Sequence, residues 1–194
     1  MNFPQIRGAK EEFGVKIRKT KLEGVIEIEP DVHTDHRGFF METYSKKKWA
    51  EFGLHVDFVQ DNHSLSTHAG TIRGLHYQRE PAGQAKLVRV VAGAVFDVAV
   101  DIRPGSPTFG RWHGVVLSAA NKRQLFIPRG FAHGFCTLEP NTEVVYKTDG
   151  YYDAEHDAGI RWDDPDIAVR WPADRPVLSD KDRNHPLLRE VFPA

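Results

Sequence analysis

Within four residues, Arg73-Gly74-Leu75-His76 sets a guanidinium, a glycine and an imidazole side by side. Gln60 and Asn62 precede them, and Gln84 and Lys86 follow. A groove that holds an anionic ligand and moves a proton needs such groups. The anion calls for fixed positive charge, and the proton for one base near neutrality, where free histidine has a pKa of about 6.5. Taken alone, the tetrapeptide fits a satisfied interior histidine beside a surface cation better, and the rest of the chain has to decide.

A second histidine stands in Pro128-Arg129-Gly130-Phe131-Ala132-His133-Gly134. Proline and glycine fix a tight turn, and His133 then begins the next strand. The Pro-x-Gly-x-x-His pattern resembles the second half of the paired motif of cupin barrels. Metal-binding cupins supply His-x-His and a glutamate in the first half, but here the corresponding place reads His76-Tyr77-Gln78. His76 and His133 fall one short of the three protein ligands usual at a catalytic metal. The expectation is a barrel with no metal, in which His76 works as a general base. Such a base needs a carboxylate on its other ring nitrogen, to fix the tautomer and stabilise the imidazolium that forms. With 27 acidic residues, composition does not choose one. Tyr146 either packs with its hydroxyl satisfied, the commoner case, or acts as an acid. Lys86 opens a strand and by itself reads as solvent-facing, while Tyr151 and Tyr152 suit core or rim equally.

The elements that must position these groups are mostly strands. Val25–Glu29 alternates apolar and acidic residues before Pro30, and Asp35-His36-Arg37-Gly38 is turn chemistry ahead of a strand over 39–44. Ser45 to Phe52 reads as a short helix, capped by Ser45 and ended by Gly53. Further strands are expected over 55–62, 86–92, 94–103, 111–117, 124–127, 134–138 and 143–148, with Ala92-Gly93 as a hairpin turn between two of them. In 94–103, Phe96, Val98, Val100 and Ile102 form an apolar face, and Asp97, Ala99, Asp101 and Arg103 the other. Short strands at this spacing indicate a sandwich or barrel. After Tyr152 the chain turns polar and proline-rich and is expected to wrap the barrel, with a short helix near 187–190.

The 194 residues, 40% apolar and 27% charged, suit one soluble domain, over 21–194, preceded by a basic arm over 1–20 that is either loose or an extra edge strand. A net charge of -1 gives no bulk attraction to nucleic acid or membrane. No run approaches the roughly 18 apolar residues of a membrane span. The single cysteine, Cys136, permits no internal disulfide, so a reducing cytoplasm is expected.

Several segments in order, taken together, carry a resemblance: Asp35–Glu42, Phe58–Asn62, Arg73–Gln78, Gln84–Lys86, Ser106–Gly110, Ile127–Phe135, Tyr146-Lys147, Asp164-Pro165 and Leu178–Asp182. Over roughly residues 21 to 191 the sequence resembles the dTDP-4-dehydrorhamnose 3,5-epimerase family. The resemblance implies an all-β, cupin-like jelly-roll barrel with a few short helices, no metal and no cofactor. It also implies a homodimer acting on a nucleotide-linked 4-keto-6-deoxy sugar. His76 matches the family's base, Asp182 its carboxylate partner, Tyr146 the acid on the opposite face and Lys86 the group near the keto oxygen. Arg37, Phe40, Glu42, Gln60, Asp61, Asn62, Arg73, His133, Tyr152, Asp157 and Lys181 are expected to bind nucleotide or sugar. Asp157 stands where the family has a glutamate. The rival readings are an epimerase of a single carbon, a metal-dependent cupin oxygenase and a non-catalytic sugar-nucleotide-binding module.

Overall fold

The computed structural model describes residues 14–193. Two antiparallel sheets dominate it. In chain order the strands are β1 Lys16–Lys19, β2 Ile26–Glu29, β3 Val32–Asp35, β4 Gly38–Met41, β5 Gln60–Ser66, β6 Ile72–Gln78 and β7 Lys86–Ala92. They continue as β8 Ala94–Asp101, β9 Trp112–Ser118, β10 Gln124–Ile127, β11 Phe131–Thr137, β12 Thr142–Thr148 and β13 Asp157–Gly159. The helices are short: α1 Lys46–Glu51, α2 Asp180–Arg183 and α3 Leu188–Val191. One sheet has the order β1-β2-β10-β7-β12-β5, the other β13-β6-β11-β8-β9, and β3-β4 is a separate hairpin. From β5 to β13 the chain passes from one sheet to the other at almost every connection, which is the jelly-roll pattern expected.

That alternation corrects one expectation. Gly93 does not close a hairpin, because β7 and β8 lie in different sheets and β8 pairs with β9 and β11. Gly93, at φ +72°, instead turns the chain across the barrel, where an added Cβ would lie 2.3 Å from the Thr142 hydroxyl. The segment 55–59 also departs from expectation; it is irregular, and β5 begins at Gln60 and runs on to Ser66. Of the basic arm, residues 1–13 lie outside the described part, while β1 is an edge strand on β2.

Three apolar layers hold the sheets. Val88, Val90, Leu125, Ile127 and Val144 from one sheet meet Val95, Ala99, Leu117, Phe131 and Phe135 from the other. The outer face of the larger sheet packs Ile26, Ile28, Leu87 and Phe126 under Trp49 of α1, which Ser45 caps as expected. The outer face of the smaller sheet packs Leu75, Tyr77, Val98 and Val100 under the wrapping tail, through Ile160, Ile167, Trp171 and Leu188. β8 is therefore buried on both faces, and its apparent polar face points inward with Asp97 and Asp101 at 0% exposure. Asp101 is satisfied locally by Arg103, Ser106 and Thr108. Asp97 belongs to the site.

Candidate active site

The site is built on two strand pairings. On β6 and β11, His76 is the register partner of His133, so both imidazoles face the same side of the sheet. Their strands approach closely because Gly74 and Gly134 meet there: a Cβ on Gly74 would lie 2.5 Å from the Gly134 Cα. In the opposite sheet, Tyr146 of β12 faces Val88 and Asn62, and Thr148 faces Lys86. Side chains alternate along a strand, so Lys86, Tyr146, Gln60 and Asn62 share the inward face. Lys86 lies 5.8 Å from the Tyr146 ring centroid.

The wrapping tail closes the site. Thr71 and Val177 form a parallel bridge that brings 177–182 beside β6. Ser179 then caps α2 by accepting a bond from the Asp182 backbone N–H at 3.1 Å. That turn aims the buried Asp182 carboxylate at His76, with Oδ1 in hydrogen-bond contact with Nε2. His76 is thereby left with Nδ1 for a ligand. The result is a cavity of about 420 Å³ lined by Arg73, His76, Lys86, His133, Tyr146, Lys181 and Asp182, together with Ser64, Thr71 and Ser179.

Burial and neighbours set the charges. Burial pushes the Asp182 carboxyl up, but the bonds from His76 and Ser179 outweigh it and hold the group below the ordinary range, so it stays ionised. Lys86 is ringed by protein though it lines the cavity, and desolvation lowers it to about 8 despite Asp97 and Asp157 nearby. Burial also lowers His133, against the pull of Asp97, to which its Nε2 is bonded at 2.8 Å. Tyr146 is raised by burial and keeps its proton.

At the rim, Lys181 pairs with Asp157, and the Tyr152 hydroxyl donates to Asp157 at 3.1 Å. The Tyr152 backbone N–H donates to Gln60, whose amide donates to Asn62 at 2.9 Å. Through Lys181, which lines the cavity, this network ties Asp157, Tyr152, Gln60 and Asn62 to its edge without placing those four in the lining. Arg73 is held by Ser66 and the Leu65 carbonyl.

Four expected residues stand elsewhere. Asp61 alternates with the inward set and faces outward, paired with Lys147 at 2.8 Å. Arg37 is tied to Asp35 within the β3-β4 turn, Phe40 is 71% exposed, and Glu42 pairs with Lys48. No residue of the hairpin lines the cavity of its own chain. Sequence reasoning missed Asp97 and His185. Asp97 alternates with apolar residues in a strand buried on both faces, which was a usable signal. His185 carried none; its Nε2 lies 3.5 Å from Asp182 Oδ1, and its ring packs edge-on to His76 at 5.7 Å. Among the described residues, His76, Asp182 and His185 form the group whose ligand atoms, all within 4.8 Å of one another, would suit a metal ion. His133 is not part of it.

The chain has close counterparts in sequence and fold. A family model described as dTDP-4-dehydrorhamnose 3,5-epimerase matches residues 19–190. The enzyme of that name from Shigella flexneri is 57% identical over 171 residues, 88% of this chain and 94% of the relative; that from Escherichia coli is 51% identical, covering 92% and 97%. A solved Bacillus anthracis dTDP-4-dehydrorhamnose 3,5-epimerase with TDP and pyrophosphate bound superposes with a TM-score of 0.87 at 53% identity, over 89% of this chain and 99% of that one. A Legionella pneumophila dTDP-6-deoxy-D-glucose-3,5-epimerase in complex with dTDP-4-keto-L-rhamnose gives 0.87 at 48%, over 90% and 93%. Shared over nearly the whole described length, fold and sequence together establish that the chain belongs to the dTDP-4-dehydrorhamnose 3,5-epimerase family.

Proposed function

We propose that this chain inverts C3 and C5 of dTDP-4-keto-6-deoxyglucose, by proton abstraction and return, to give dTDP-4-keto-L-rhamnose. The observation that carries this reading is one cavity shared by His76 with its Asp182 partner, by Tyr146 and by Lys86. A C–H beside a ketone is acidic only because its anion delocalises onto the carbonyl oxygen. The reaction therefore needs a base at carbon and positive charge at oxygen. His76 takes the proton on Nδ1 while Asp182 balances the imidazolium. Lys86, protonated at neutral pH, offsets the enolate charge from the other sheet. Tyr146, whose raised pKa keeps it a donor, returns a proton to the opposite face. The keto group at C4 activates both neighbours, so one base and one acid serve two inversions. Arg73 and Lys181 hold the diphosphate by charge-assisted bonds, and no cofactor is required.

The active species in this proposal is a cytoplasmic homodimer, each chain contributing residues 21–194 as one catalytic domain. The position of Arg37, Phe40 and Glu42 supports the dimer: they match substrate-binding positions yet sit on a hairpin clear of their own cavity, with Phe39 and Phe40 exposed. A second copy would give that hairpin both a surface to cover and a site to complete. No helix among the described residues is long and apolar enough to cross a membrane.

The test is incubation with dTDP-4-keto-6-deoxyglucose in deuterated water, followed by proton NMR. Deuterium at both C3 and C5 with the L-rhamno product is expected. Exchange at one carbon alone would make the chain a single-centre epimerase, and exchange at neither would overturn the reading.

A further inference from the structure

We propose that His185 turns the His76–Asp182 pair into a three-ligand site for a zinc-class divalent ion, and that the ion switches the enzyme off. His185 is unlike an ordinary surface histidine. Its side chain is only 8% exposed, and its Nε2 is buried with no hydrogen-bond partner. That orphan nitrogen stands 3.5 Å from Asp182 Oδ1, the same oxygen that His76 Nε2 contacts. Backbone holds the ring there: a Cβ on Gly159 would lie 2.4 Å from His185 Nε2, so only glycine at that position of β13 leaves room. Two imidazole nitrogens and a carboxylate oxygen are the donor set zinc prefers. Zinc bonds of about 2.0–2.2 Å put tetrahedral ligand atoms roughly 3.3–3.5 Å apart. The His185–Asp182 spacing already meets this, all three ligand atoms lie within 4.8 Å of one another, and the His76–Asp182 contact has to open to admit the ion.

The chemical consequence follows from the ring. In the active tautomer the His76 proton sits on Nε2, toward Asp182, and Nδ1 has its lone pair free. An ion bound at Nε2 displaces that proton, and the neutral ring then carries its hydrogen on Nδ1. No proton is gained or lost by the ring, yet the nitrogen facing the substrate no longer accepts one. Such an ion is therefore an inhibitor and not a cofactor. The binding claim rests on geometry alone, and the inhibition claim rests on His76 being the base.

The test uses the purified full chain, with Zn²⁺ followed calorimetrically and Co²⁺ followed by its visible absorption. We expect one ion per chain, with loss of solvent deuterium exchange in step with occupancy. His185→Gln and His185→Phe should bind zinc about 100-fold more weakly or worse, the upper range for disturbing even an outer shell, and the exchange each variant retains should persist at zinc concentrations that silence the wild type. The phenylalanine variant fills the space against Gly159, and the glutamine variant guards against misfolding of the first. Unchanged zinc affinity in both variants, no binding at all, or binding that leaves exchange intact would each overturn the proposal. If the chain showed no exchange activity under any condition, the cobalt spectrum would still decide the site.

Discussion

Replacing Asp182 by asparagine tests the dyad with little disturbance of the fold. The side chain keeps its volume, and the helix cap is untouched because Ser179 binds the backbone N–H of residue 182 rather than its carboxylate. What is lost is the negative charge facing the imidazolium. Two unit charges about 4 Å apart at an effective dielectric of about 20 interact by about 4 kcal/mol. The His76 side chain is 34% exposed, so solvent screens part of this, and about 2–3 kcal/mol remains. At about 1.4 kcal/mol per decade, that predicts a fall in kcat of roughly 30- to 150-fold. The carboxamide can also donate to Nε2, driving the ring proton onto Nδ1 and deepening the loss. Deuterium exchange at C3 and C5, measured with saturating substrate, reads the proton step directly, and KM should move little. A variant within about fivefold of wild-type exchange would refute the dyad, because screening alone does not erase a buried pair to that extent.

Tyr146→Phe should still exchange substrate protons with deuterated water yet accumulate no fully inverted product, since abstraction is intact and the opposite donor is gone; product NMR separates the two. The kcat/KM profile should fall as pH rises through about 8, where the lowered Lys86 pKa removes its proton, and Lys86→Arg should abolish that limb within the measurable range. Gly74→Ala should lower the thermal midpoint, with a cost of about 1–3 kcal/mol or more, because the new methyl strikes Gly134 backbone that has no room to yield.

Chemistry was more legible in the sequence than placement. Gln124–Ile127 and Lys86–Ala92 announce themselves by β-branched and aromatic runs, and their bounds agree with the structure. Ser45 before a lysine run was enough to locate α1. The strand carrying His76 was not read as a strand, since Arg73-Gly74 interrupts its pattern where two backbones have to touch. α2 spans four residues, too few for any periodicity, although Ser179-Asp180-Lys181-Asp182 has the spacing of a side-chain cap. Ala92-Gly93 looked like a hairpin because a tight turn between two strands is locally the same whether the chain reverses in one sheet or crosses to the other. Asp61 fell with Gln60 and Asn62 in the resemblance, but a strand cannot send three consecutive side chains to one face. Arg37, Phe40 and Glu42 were identifiable only as matched positions; nothing local in the sequence places them at a cavity.

The two halves of the dyad lie 106 residues apart, and the second arrives on the tail that also covers Val98, Val100 and Leu75. During synthesis every strand of both sheets precedes Asp182. A ribosome that stops early therefore releases a protein with its imidazole in place but unassisted, and with one sheet still greasy on its outer side. The side chains that cover that sheet and the carboxylate that contacts the imidazole come from one continuous stretch, Ile160 to Leu188, so loss of the tail removes both. Truncation ahead of residue 160 is thus expected to cost stability and turnover together, which thermal melting and deuterium exchange would read separately.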